Sequence, residues 1–162
     1  MAEEPEAKQA AAAQTLTPEE VPIPPDPETI KQAAAEFDAW AQKLQELVMI
    51  SVAGEMRCAF IWYAHAAAAR QARVRDDIVD NIREKRALAN LDPDEQTVVD
   101  FTRELLQNRK VSRPTFDAAT ARFGQRGTMA LTNLIACYAV LAYNMNTYDL
   151  EAPAHPTEKA LP

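Results

Sequence analysis

Glycine is scarce in this 162-residue sequence, which contains only Gly54, Gly124 and Gly127. Scarce glycine and abundant alanine favour helix over sheet. No stretch alternates between apolar and polar residues for long enough to predict a β-strand. These absences argue against a sheet protein, and we predict an all-α fold, a bundle of about six helices.

Concentrated positive charge is also missing. The net charge is −7, and most of it comes from residues 1–28, which hold seven acidic residues and one lysine. Arginines and lysines cluster in residues 70–86, but four acidic residues interleave with them, which is typical of a solvated surface. Nucleic-acid binding requires a basic surface, so no nucleic-acid partner is expected.

The two cysteines, Cys58 and Cys137, fall within apolar stretches, and no secretory signal pattern precedes them. We therefore expect reduced, buried thiols in a cytoplasmic protein. The apolar stretch at residues 131–143 is shorter than the roughly 20 residues that cross a bilayer, so no membrane partner is expected. No metal site is expected either, because His65 has no second histidine on its helix and His155 lies in the tail.

Prolines and helix-start signals divide the chain into three parts. Residues 1–27 are rich in proline and glutamate, which predicts a disordered or extended arm; packing of this arm on a neighbouring subunit is the alternative. Residues 28–148 carry helical periodicity and form the predicted domain, and residues 149–162 are predicted to be a loose tail. The first predicted helix runs from residue 27 to about 53, and a second follows the break at Gly54 and ends at about 71. The third covers 76–85, and the fourth begins at 92. The fifth covers 112–124, and the sixth runs from about 127 to 147.

The segment from Glu46 to Arg70 is the most informative part of the sequence. Residues 58–69 carry no charge, and His65 is the one strongly polar side chain among them. Such a run predicts a buried helix that is covered by its neighbours or by another subunit. A buried imidazole needs a partner, because an unpaired buried polar group costs about 1–3 kcal/mol. Glu46 and Glu55 are the nearest acidic candidates upstream.

A spaced pattern joins Glu46, Cys58 and His65, with Ile61 or Trp62 on the same helical face as the last two. This pattern, E-x11-C-x2-I-x3-H, resembles the E-x11-C-x2-C-x3-H signature of alkylhydroperoxidase D in the carboxymuconolactone decarboxylase superfamily. Ile61 stands where that signature has its second cysteine. Other members of the superfamily have E-W-x-x-H, and Trp62 and His65 resemble this version, with Ile61 in place of its glutamate.

The resemblance covers roughly residues 40–150. Gln45-Glu46-Leu47 is similar to an R-E-L helix of the family, residues 101–106 to its F-x-x-E-L-L segment, and residues 111–116 to its V-S-x-x-T-F turn. The resemblance implies an alkylhydroperoxidase D-like helical bundle that assembles as a homotrimer or homohexamer. It also implies a small-molecule substrate and no metal or organic cofactor.

The resemblance also implies roles for site residues. In the lyase interpretation, which we favour, His65 is the general acid or base in proton transfer or decarboxylation on a small lactone or carboxylate, and Glu46 orients it. In the peroxidase interpretation, Cys58 is the reactive thiol and an external thiol must resolve it. The predicted substrate pocket consists of the following side chains: Ile61, Trp62, Tyr63 and Tyr138.

Structural interpretations of the same residues stay open. His65 could be a core histidine with one hydrogen bond, Cys58 a small buried apolar residue, and Glu46 a surface glutamate. A non-catalytic oligomeric binding protein is a third functional hypothesis, because position 61 matches neither version of the motif. Two apolar runs, at residues 58–69 and 131–143, offer more apolar surface than a six-helix bundle has to cover, which independently predicts a homo-oligomer.

Overall fold

The computed structural model describes residues 42–150, 152 and 158–162. These residues form helices and no strand, which confirms the all-α prediction. The helices, in chain order, are α1 (Gln42–Met56), α2 (Ala59–Gln71), α3 (Asp76–Arg83), α4 (Pro93–Asn108) and α5 (Arg113–Thr147). The predicted N-terminal arm and the predicted helix start near residue 27 lie outside the described residues.

The start of α4 follows the capping chemistry predicted from the sequence. Asp92 Oδ1 accepts hydrogen bonds from the backbone N–H groups of Asp94 (3.0 Å) and Glu95 (2.8 Å), and Glu95 Oε2 accepts one from the N–H of Asp92 (2.8 Å). This capping box satisfies N–H groups that have no partner within the helix. Lys43 of α1 lies 2.7 Å from Glu95 Oε1 and 3.1 Å from Asp92 Oδ2, so the cap also joins α4 to α1.

The break between α1 and α2 lies after the predicted one. Gly54 was predicted to end the first helix, but α1 continues to Met56, and the turn uses Arg57 (φ 52°) and Cys58 (φ −93°, ψ 100°). Gly54 serves the packing instead, because a Cβ at this position would lie 3.0 Å from Ile82 Cγ2. The glycine therefore permits the close approach of α1 and α3.

Two helices were predicted after residue 112, with Gly124 ending the first of them. In the structure two helical stretches meet at a kink at Gly124 within Arg113–Thr147, and we label them together as α5. Ser112 begins α5 as its N-cap, accepting a hydrogen bond from the N–H of Thr115 at 3.4 Å. Gly124 has φ 70° and ψ 176° inside the element, a conformation that strongly favours glycine. The helix resumes directly after it, with Thr128 Oγ1 donating to the Gly124 carbonyl oxygen at 2.8 Å.

The core lies around α1, which packs against all four other helices. Leu47, Val48, Ile50 and Val52 of α1 are completely buried. In α2, α3, α4 and α5 the fully buried large side chains are Trp62, Ile78, Val79, Val98, Val99, Leu131 and Ile135. The buried side chains of α1 therefore form the surface on which α2 and α5 pack.

The described residues 158–162 contact α2 and its neighbours. Glu158 accepts two hydrogen bonds from Arg70 Nε (3.1 and 3.2 Å), and the Lys159 carbonyl oxygen accepts one from Trp62 Nε1 (2.9 Å). Leu161 packs against the core. The boundaries predicted for the arm, the domain and the tail stay predictions, but this part of the predicted tail has defined partners on α2.

One face of α5 is apolar and exposed. It consists of Met129, Ala136, Val140 and Tyr143, which lie on a single side of the helix because of their spacing; we call it the α5 face. Val140 is 59% exposed and Tyr143 65%. By length and composition alone, α5 could also cross a membrane, but core helices of soluble proteins pass the same test.

Candidate functional site

Glu46 of α1 and His65 of α2 meet at the interface of the two helices. His65 Nδ1 lies 3.0 Å from Glu46 Oε2. The two side chains are 21% and 12% exposed, so the pair is largely withdrawn from solvent but still accessible. Of the two acidic candidates considered for His65, the structure therefore selects Glu46. Glu55 lies elsewhere, accepting a hydrogen bond from Gln107 Nε2 at 2.9 Å.

This contact orients the imidazole. A carboxylate has only acceptor atoms, so the hydrogen bond requires a proton on His65 Nδ1. In the neutral ring, Nε2 then carries the lone pair and can accept a proton from another molecule. The arrangement is the same in principle as a catalytic histidine whose second nitrogen is fixed by an acid.

Tyr138 of α5 completes the cluster. Its ring meets the His65 ring edge to face, with centroids 5.2 Å apart and an interplanar angle of 79°. Burial raises the pKa of Tyr138 to about 12, and the negative charge of the Glu46 carboxylate acts in the same direction. The phenol therefore stays protonated at neutral pH and can donate a hydrogen bond to a ligand beside His65.

Cys58 lies at the N-cap of α2 and is completely buried. Among the described residues, no hydrogen bond joins its thiol to Glu46 or His65, and Cys58 and Cys137 are both free thiols. Cys58 immediately precedes the first residue of α2.

The other predicted pocket residues have different surroundings. Ile61 and Trp62 are buried, at 3% and 1% exposure. The indole N–H of Trp62 donates its hydrogen bond to the carbonyl oxygen of Lys159 in the C-terminal segment. Tyr63 is half-buried. Of the four predicted pocket residues, Tyr138 is the one whose ring contacts His65.

Arg70 was predicted to belong to a solvated charge cluster, and the structure gives it a more defined role. Its guanidinium contacts Asp76 Oδ1 at 2.6 Å, Asp80 Oδ1 at 2.8 Å and Glu158 Oε1 at 3.1 Å. These acids, with burial opposing them, raise the pKa of Arg70 further. Arg70 therefore ties the end of α2 to α3 and to the C-terminal segment. Within the described part of the chain, no group of three or more metal-ligating side chains is found.

Part of the chain matches a known protein family. The model of the carboxymuconolactone decarboxylase family matches residues 28–104. This range contains Glu46, Cys58 and His65, whereas Tyr138 lies beyond it. Neither the curated proteins nor the solved structures contain a match to the chain.

Proposed function

We propose that this chain, whose residues 28–104 match the model of the carboxymuconolactone decarboxylase family, catalyses proton transfer or decarboxylation on a small lactone or carboxylate. In this proposal His65 is the general acid or base. The reaction uses the chain's own side chains and no metal or organic cofactor.

The observation that carries the proposal is the 3.0 Å hydrogen bond between His65 Nδ1 and Glu46 Oε2. It leaves Nε2 as the nitrogen that exchanges a proton with the substrate. An imidazole is suited to this exchange near neutral pH. The negative charge of Glu46 stabilises the imidazolium that forms when Nε2 accepts a proton.

The proposed chemistry consumes one proton, which His65 Nε2 takes from solvent before each turnover. In a decarboxylation, the bond from the substrate carbon to its carboxylate breaks, carbon dioxide leaves, and the electron pair stays on the carbon beside the lactone carbonyl. The imidazolium of His65 then delivers its Nε2 proton to that carbon. The Tyr138 hydroxyl, which is protonated at neutral pH, donates a hydrogen bond to the enolate oxygen.

No observation favours the peroxidase alternative. A thiol peroxidase needs a thiolate that peroxide can reach, whereas Cys58 is completely buried. The non-catalytic alternative shares the same cluster as a ligand site, so it is distinguished by the activity test.

The test measures the decrease in ultraviolet absorbance as each of a panel of small lactone carboxylates is consumed. Release of carbon dioxide is the second readout. We expect turnover by the natural protein and a loss of at least 100-fold in kcat/KM for His65→Gln, because glutamine can bond Glu46 but cannot exchange a proton. Glu46→Gln should lower kcat less, by about 10-fold to 100-fold.

Matched controls separate the cluster from its surroundings. Tyr143→Phe removes a hydroxyl from the exposed side of α5 and should leave activity unchanged, whereas Tyr138→Phe should lower it. His155→Gln changes the chain's other histidine and should also leave activity unchanged. Full activity in folded His65→Gln would exclude His65 as the acid or base.

We also propose that the α5 face is covered by another copy of the chain, in a homotrimer or homohexamer. The exposure of Val140 and Tyr143 supports this proposal, since exposed apolar surface on one side of a helix is typical of an interface.

A further inference from the structure

A cavity of about 430 Å³ lies between α1, the segment after α3, and α4. Its lining comes from three separate parts of the chain: Ser51, Gly54, Glu55, Ile82, Lys85, Arg86, Ala87, Arg103 and Gln107. A volume of this size suits a small molecule. The cavity is distinct from the His65 cluster, because Glu46 and Glu55 are nine residues apart on α1, about 13 Å along the helix axis.

The charged groups of the cavity are mainly cationic. Lys85, Arg86 and Arg103 face one acid of the lining, Glu55. Glu55 already has two partners, Gln107 Nε2 at 2.9 Å and Arg103 Nε at 3.5 Å. Arg86 also pairs with Glu84, which lies outside the lining. Among the described residues, two carboxylates, Glu55 and Glu84, stand against these three cations, and Glu84 also pairs with Arg83.

The walls of the cavity are held by the backbone. The close approach of Gly54 to Ile82 forms an apolar wall. The chain then turns at Lys85, which has φ 54°, and the Arg86 N–H donates to the Asn81 carbonyl oxygen at 2.8 Å. This turn carries Lys85 and Arg86 to the mouth of the cavity, where both are exposed.

We propose that this cavity binds a small organic carboxylate. The carboxylate group contacts Lys85 and Arg103, since a guanidinium and an ammonium are the side chains that bind carboxylates most strongly. The carbon skeleton lies against Ile82 and Ala87. This binding is independent of the chemistry at His65.

The test measures binding of succinate to the full chain by isothermal titration calorimetry at low salt. Succinamide, which has the same skeleton and no charge, is the matched ligand, and inorganic phosphate is the anion without a skeleton. We expect succinate to bind more tightly than either by at least 10-fold. Affinity should fall as salt is added, because the contacts are partly exposed.

Variants locate the site. Lys85→Gln and Arg103→Gln should each weaken succinate at least 10-fold, whereas Lys110→Gln, which removes an exposed lysine outside the lining, should not. Arg103→Gln leaves Glu55 with fewer partners and can for that reason fail to fold. Lys85→Gln changes an exposed side chain, so this variant still tests the site in that case. His65→Gln should bind succinate normally, so this proposal and the proposed catalysis can fail separately.

Three results would overturn the proposal. Equal affinities for succinate and succinamide would show that the charge of the ligand does not contribute to binding. Equal affinities for phosphate and succinate would show that the apolar wall does not contribute. An equal loss in Lys110→Gln would show that succinate responds to net charge and not to the cavity.

Discussion

Two stretches of this chain are apolar on nearly every side, yet the fold treats them differently. In α2, Ile61, Trp62 and Ala66 are buried at 3% or less exposure. In the second half of α5, Val140 and Tyr143 are mostly exposed. The helices have similar composition, so composition does not decide how completely each is covered.

The difference lies in what surrounds each helix. α2 packs on α1 and on α3, and residues 158–162 lie against its Trp62 and Arg70. Among the described residues, α5 packs mainly on α1 and α4, and Val140 and Tyr143 of the α5 face are left exposed. A uniformly apolar sequence therefore predicts that a helix will be covered, but the cover can come from the same chain or from another copy.

The largest expected effect is on the covered helix. Trp62→Ala should lower the free energy of unfolding by about 3–5 kcal/mol, because it leaves a cavity in the core and removes the hydrogen bond to Lys159. Urea unfolding of dilute protein measures it. Tyr143→Ala, an aromatic truncation on the α5 face, should cost under about 1 kcal/mol in the same assay. Equal losses of unfolding free energy in the two variants would contradict the difference in burial between α2 and the α5 face.

The next effect concerns the uncovered helix. Val140→Glu should weaken self-association at least 100-fold, which is about 2.7 kcal/mol, because a charge would be buried in the interface without a partner. Light scattering should give the natural protein a multiple of 18.0 kDa and the variant a lower mass. Ala118→Glu, which places the same charge at an exposed position of α5 before the bend at Gly124, is the control. A natural mass of 18.0 kDa would contradict the proposed assembly.

A smaller effect tests the link from α4 to α1. Burial tends to raise the pKa of Asp92, but hydrogen bonds from the Glu95 N–H and from Lys43 outweigh it and hold the pKa below its usual value. A carboxyl with a lowered folded-state pKa stabilises the fold above its unfolded-state pKa, and the stabilisation is lost as pH falls through the lower, folded-state value. Asp92→Ala should therefore cost about 1 kcal/mol at pH 7 and less at pH 2.

Asp92→Asn is the matched variant for this prediction. Its amide oxygen can still cap α4, but it has no charge for Lys43. The pH dependence of its unfolding below pH 5 should be weaker than that of the natural protein. An unchanged pH dependence would mean that Asp92 does not contribute to it.

The smallest effect concerns the contact between Arg70 and the C-terminal segment. A double-mutant cycle of Arg70→Gln and Glu158→Gln should give a coupling free energy of about 0.5–1 kcal/mol, because both side chains are partly exposed. The exposed pair Arg113 and Asp117 on α5 is the reference and should give about 0.3–0.5 kcal/mol. A coupling no larger than the reference would show that Glu158 adds little to the cover of α2.

The sequence predicts local features of this fold well. The starts of α4 and α5 follow from Asp92 and Ser112, because capping involves residues that are neighbours in sequence. The break after α1 could not be predicted in the same way. Gly54 reads as a helix end, but the approach of Ile82 from α3, a contact between distant residues, decides its role.

The candidate site shows the same division. The sequence offered Glu46 and Glu55 as partners of His65, and the structure pairs His65 with Glu46. The cavity beside Glu55 has no sequence signal, because its cations come from residues 85, 86 and 103, within a charge-rich segment and a separate helix. The contact of Arg70 with Glu158 was missed because 88 residues separate the two in sequence.

The contact between Gly54 and Ile82 carries an evolutionary consequence. Because a Cβ at position 54 would lie 3.0 Å from Ile82 Cγ2, related chains with alanine at position 54 should lack a branched Cβ at position 82. Leucine or methionine there would remove the clash, whereas valine would keep the Cγ2 methyl group. Substitutions at these two positions are therefore expected to occur together during divergence, although 28 positions separate them in the sequence.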